Sequence, residues 1–251
     1  MAIGTPREFA VGHVISNGFR IFFANIVPFG LISLIIFIPY ILLIIAAARG
    51  DIPAEGSTVD LGTRVLGLLL SYVVTGAIAY GAFNDMRGRR IGTGECLSRG
   101  LAVMFPILGV AILTGIAVLL GFIALIIPGL FLLTVLWVAV PVAVVERPGV
   151  FEALRRSAAL TENYRWQVFG ILMVLVAINV GAGVILFFII GSVLSGTGTH
   201  STNAVIGVYL ISAVLEALLT ALGAVMTTVG YHDLRAVKEG ISIEDITKVF
   251  D

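Results

Sequence analysis

Charge is the scarcest property of this chain. Asp, Glu, Lys and Arg make up 12% of its 251 residues, about half of the roughly 25% usual in a soluble domain, which excludes a normally solvated globular surface. Fifteen basic and fifteen acidic residues cancel. No net field therefore draws nucleic acid or an acidic partner, and charge informs only through its placement. A single cysteine, Cys96, excludes an internal disulfide and any multi-cysteine metal centre. The three histidines, His13, His200 and His232, fall in no HxxxH or ExxH spacing, so neither a metal nor another cofactor is expected. No serine sits in a G-x-S-x-G elbow and no glycine cluster forms a phosphate cradle, so no enzyme activity is expected. The opening MAIGTPREFAVGH lacks the features of a secretory signal, and the N-terminus is expected to be retained.

What fills the chain instead is apolar: 59% of the residues are hydrophobic. Runs occupy Ile21–Ala48, Leu61–Phe83, Pro106–Ile127, Leu130–Val145, Trp166–Leu194 and Ala204–Gly230. Five of these exceed the roughly 20 residues that a helix needs to cross the hydrocarbon layer, and the fourth falls just short. The expected fold is an all-α integral membrane protein with six transmembrane segments in one domain. Between the third and fourth runs only Pro128-Gly129 is available to reverse the chain, so a tight hairpin is expected there, either spanning or re-entrant. Thirteen of the fifteen basic residues fall on one side of this arrangement, against Arg49 and Arg64 on the other. The positive-inside rule then places both termini in the cytoplasm, across a bacterial inner membrane. Pro39 and Pro141 are expected to kink their helices, and Trp137 lies deeper than an interfacial belt would hold it.

Three further stretches read as amphipathic helices on the cytoplasmic surface, each ahead of a hairpin. The first begins TPRE, where Thr5 can cap and Glu8 can reach back, and its apolar stripe runs through Val11, Val14, Ile15, Gly18 and Phe22, with His13, Asn17 and Arg20 opposite. The second and third carry Glu95–Arg99 and Glu152–Arg156 at i,i+4 spacing. The hairpins of the first and third close on FNDMR (Phe83 to Arg87) and YHDLR (Tyr231 to Arg235). Three pseudo-repeat units follow, at about 5–92, 93–147 and 148–240, with a short tail at 241–251. The alternative is that any chain re-entering a bilayer shows such a basic patch.

The run IIPGLFLLTVLWVAVPVAVVERPGVFEALRRSAALTENYRWQVFG, Ile126 to Gly170, together with the closing YHDLR, resembles the membrane domain attached to some glycerophosphodiester phosphodiesterases. It is also similar to the YciC-type inner-membrane proteins of bacteria. That resemblance implies a multi-helix membrane domain without an established reaction, because the phosphodiesterase chemistry belongs to a separate barrel.

Glu216 is the one acidic residue deep inside an apolar run, where an ionised side chain costs about 2.5–3.5 kcal/mol on insertion scales. Ser212, Glu216, Thr220, Ala224 and Thr228 repeat every four residues, a stripe expected to face inward, with Thr75 and Asn179 as partners on other helices. Such a carboxyl could line an ion or solute path, or serve as a neutral hydrogen-bonded contact between helices. At the cytoplasmic boundary, Asp85 with Arg87 and Asp233 with Arg235 are expected to pin helix ends through Asp–Arg pairs. The functional alternative gathers Asp85, Asp233, His13 and His232 into a polar mouth. Expected partners are membrane lipids and a membrane protein or a second copy of the chain, with no nucleic acid. The favoured expectation is an accessory protein that binds lipid or a membrane partner; the alternative is a transporter or channel-like protein.

Overall fold

A computed structural model describes residues 8–49, 58–89, 92–196 and 202–240, and among them all regular structure is helical. The helices are α1 (Val11–Ala24), α2 (Ile26–Arg49), α3 (Thr58–Met86), α4 (Thr93–Ala102), α5 (Met104–Ala124), α6 (Ile126–Val135), α7 (Ala139–Val145), α8 (Val150–Thr161), α9 (Arg165–Gly196) and α10 (Thr202–Glu239). Six segments are long and apolar enough to cross a membrane: Ile26–Ala47, Leu61–Met86, Met104–Ala124, Ile126–Val145, Arg165–Ser192 and Ile206–Glu239.

The centre is built by α3, α7 and α10, which touch one another and enclose Val74, Ala77, Ile78, Val142, Val225 and Met226 completely. Small residues allow these close approaches. A Cβ at Gly230 would lie 2.4 Å from the Trp137 indole, so the glycine is the slot that receives this deep tryptophan. The short helices pack chiefly outside their own hairpins: α1 on α10, α4 on α3, and α8 on α7. By contrast, among the described side chains of α9 only Val168 and Ile171, near its start, are buried, and no residue from 172 to 192 is.

Several sequence expectations change. Thr5 lies outside the described residues, and Glu8 lies outside α1, which starts at Val11 with Ala10 as its cap. Phe9 explains the later start: it is buried edge-on against Tyr164, with ring centroids 5.6 Å apart, and Ala10 after it is extended (φ −117°, ψ 128°). Asn17, expected on the exposed face, is buried because that side of α1 turns toward α10. The reversal between α5 and α6 occurs at extended Leu125 (φ −169°, ψ 161°) rather than at Pro128-Gly129. Pro128 falls in the first turn of α6, where its missing N–H has no intrahelical role. Gly129 packs face to face with Gly121, whose Cβ would meet the Gly129 Cα at 3.0 Å; the glycines serve the crossing, not the turn. The fourth run divides at residues 136–138. Pro141 is the cause, since its ring clashes with the carbonyl four residues earlier, at Trp137. At Pro39, α2 continues unbroken.

Candidate functional site

The polar stripe on α10 does not assemble around Glu216. Ser212 Oγ donates to the Val208 carbonyl (2.9 Å), Thr75 Oγ1 to the Ser71 carbonyl (2.8 Å), and Asn179 Nδ2 to the Leu175 carbonyl (2.8 Å). Each of these groups is satisfied one turn back on its own helix. Thr228 and Ala224 are buried and Thr220 is half-buried, whereas Glu216 is exposed. An i,i+4 row winds around a helix by about 40° per step, so the row that faces the core at Thr228 has rotated by about 120° at Glu216. Glu216 stands instead on the flank of α10, within electrostatic reach of Tyr40 on α2. At 1.5 Å per residue it lies about 25 Å along the helix from Asp233, far from the polar end of the bundle.

At that end the expected Asp–Arg pins are replaced by two other networks. Asp233 is completely enclosed. Its Oδ2 accepts from His13 Nδ1 of α1 (2.7 Å), and its Oδ1 accepts from the adjacent His232 Nδ1 (3.2 Å). Asn17 Nδ2 donates to His13 Nε2 (2.8 Å), which leaves the His13 proton on Nδ1, directed at the carboxylate. His13, His232 and Asp233 therefore meet, as the polar-mouth alternative required, but Asp85 does not join them. Arg235 belongs to the second network. Its Nε donates to Glu239 (2.9 Å) and its Nη1 to the Tyr231 hydroxyl (3.3 Å), while that hydroxyl donates to Glu146 (2.8 Å).

Arg156 of α8 completes the second network, with Nε on Glu146 (3.1 Å) and Nη2 on Glu239. It is thus not paired with Glu152, whose cationic neighbour is Arg155 at 4.0 Å; a bridge between helices replaces the expected pair along one helix. Burial alone would lower the Arg156 guanidinium, but its hydrogen bonds to Glu239 and Glu146 outweigh that and raise it. Arg87 is exposed, with its guanidinium 5.8 Å from the Phe83 ring centroid.

Cavities lie apart from these networks. A groove of about 750 Å³ lies between α6 and the α8–α9 turn, lined by Ile127, Leu130, Phe131, Thr134, Glu162, Asn163, Arg165, Trp166 and Phe169. The Arg165 guanidinium lies 4.6 Å from the Phe131 centroid, and its Nε is enclosed without a hydrogen-bond partner. Trp166 is 83% exposed at the rim. The pair Arg165-Trp166, opening a long apolar run, was visible in the sequence; its neighbour Phe131, across the fold, was not. The second cavity, about 290 Å³, is lined by Asn25, Phe29, Gly81, Asp85 and Cys96, among others. Among the described residues no group of three or more His, Cys, Asp or Glu side chains could hold a metal ion. No protein-family model, curated protein or solved structure matches the chain.

Proposed function

We propose that this protein is a non-enzymatic multi-pass protein of the bacterial inner membrane that holds an anionic lipid and through it organises a membrane partner, with both termini cytoplasmic. The observation that carries the proposal is the Arg165 groove. A guanidinium with an unpartnered Nε stands at the start of α9, where unpaired helix N–H groups also favour an anion. The remaining lining, Ile127, Leu130, Phe131 and Phe169, suits an acyl chain. Glu162 at the rim opposes a second negative charge and limits the site to one phosphate. Support for a non-catalytic role comes from the acids and arginines of the polar end, which neutralise one another across α7, α8 and α10.

Native mass spectrometry on detergent-released protein tests the lipid site. Wild type is expected to retain an anionic phospholipid, and Arg165→Gln to retain it roughly tenfold less, the equivalent of one charge-assisted hydrogen bond. Equal retention by both would overturn the assignment. The alternative, a small-solute or ion transporter, draws support from one observation: Glu216 is an exposed carboxyl in an apolar segment with Tyr40 in electrostatic reach.

The units proposed from the sequence, with boundaries near 92, 147 and 240, gain support from helix packing. Each short helix docks on the last helix of the unit before it: α4 on α3, α8 on α7, and α1 on α10, which closes the set into a ring. The resemblance to membrane domains without an established reaction fits the same role.

A further inference from the structure

We propose that the cavity at Asp85 is a binding site for a primary ammonium group. Asp85 and Asp233 hold the same place in FNDMR and YHDLR, at the ends of two central helices, and a short helix packs beside each. In the α10 copy, the carboxylate is covered from within the protein by the His13 N–H at 2.7 Å. In the α3 copy, the Asp85 carboxylate makes no hydrogen bond or ion pair among the described residues and faces a cavity.

The register shows why one copy is filled and the other is open. The motif alignment sets Val229 of α10 at the place of Gly81 of α3. Gly81 lies against Cys96, whose Sγ would meet a Cβ there at 3.0 Å. On α10 the matching position is therefore filled by Val229, which is almost completely enclosed, and the Asp233 carboxylate is met by an imidazole. Around Asp85 the lining residues include Gly81 and Cys96, which are small, and no described side chain donates to the carboxylate. A volume of about 290 Å³ remains, several times the ~30 Å³ share of a water molecule.

The chemistry of the occupant follows from the filled copy, where the aspartate is met by a nitrogen donor. Asn25 supplies a second acceptor in the cavity: its Nδ2 is bound to the Ile21 carbonyl (3.0 Å), which leaves Oδ1 for a donor. An alkylammonium offers three N–H groups to the two oxygens and a short apolar arm to Phe29 and Ile32. A quaternary ammonium has no N–H and cannot replace the His13 bond. The cavity abuts the α1–α2 junction at Asn25, so the same ammonium can arrive on a phospholipid headgroup or as a free amine. This site shares no residue with the Arg165 groove, and it stands or falls separately from it.

Cys96 provides the readout, because it lines the cavity and is the only cysteine in the chain. Burial, reinforced by the adjacent Glu95, pushes its thiol up, so modification by N-ethylmaleimide is slow and sensitive to an occupant. In phosphatidylglycerol nanodiscs, ethylammonium is expected to slow modification saturably, by at least about threefold at the top of the titration, and tetramethylammonium at equal ionic strength is not. In a second arm, nanodiscs containing phosphatidylethanolamine, without added amine, are compared with phosphatidylglycerol alone. Slowing in this arm assigns the ammonium to a lipid headgroup, and slowing only by ethylammonium assigns it to a free amine. Asp85→Asn is expected to abolish both effects. No slowing in either arm, equal slowing by tetramethylammonium, or protection that survives Asp85→Asn would overturn the proposal; the first two results need no variant.

Discussion

A carboxylate with no solvent contact must be answered by its neighbours, and Asp233 is answered by His13 from 220 residues away. His13→Leu removes the closer donor and leaves an under-compensated buried charge, a change expected to cost about 3 kcal/mol. His13→Asn preserves a donor and is expected to cost about half as much; thermal unfolding in detergent compares the two. The sequence marks Asp233 through its motif and His13 through its rarity, but their pairing is a tertiary fact that no local spacing encodes. The same limit applies to Arg235, expected beside Asp233: the acceptor it meets, Glu239, lies one turn further along α10 and is bridged by Arg156 of another helix. Glu216 belongs to a different class. Its carboxyl lies on the flank of α10 and is joined to no network, so Glu216→Leu is expected to raise the unfolding temperature and leave ion and solute flux in proteoliposomes unchanged. A loss of flux in that variant would instead favour transport.

At the level of the helix, hydrophobic run length made the six long apolar segments legible, because an apolar stretch of this length has few soluble alternatives. Boundaries were less legible wherever one residue type serves two purposes. Proline and glycine mark turns, yet Pro128 starts a helix and Gly129 lets α5 and α6 touch. The docking of the short helices also escaped a reading by periodicity, since an apolar stripe reports that a face is covered and not what covers it. Close contact gives this docking a testable signature. A Cβ at Gly100 would come within 2.5 Å of the Ala77 Cβ and 2.7 Å of its Cα, so Gly100→Val is expected to destabilise the protein by about 1–3 kcal/mol. Gly94, on the same helix, has nothing within 4 Å of that position, and Gly94→Ala is expected to be neutral or slightly stabilising in the same melting experiment.

For the molecule as a whole, orientation is the first quantity to measure. In a Cys96→Ser background, single cysteines at Ser57 and at Arg87 are expected to differ when intact cells meet a membrane-impermeant maleimide, with only Ser57→Cys labelled. The reverse pattern would invert the proposed topology. The docking of α1 on α10 also has a meaning in time. The contacts that settle α1, from His13 to Asp233 and from Gly18 to Met226, involve residues made more than two hundred positions later. During N-to-C synthesis α1 therefore leaves the ribosome well before α10, and it keeps a histidine and a glycine-notched face unmatched until α10 is in place. A chain cut short before α10 would display that unmatched helix, so the exposure of α1 reports whether α10 has been made and seated.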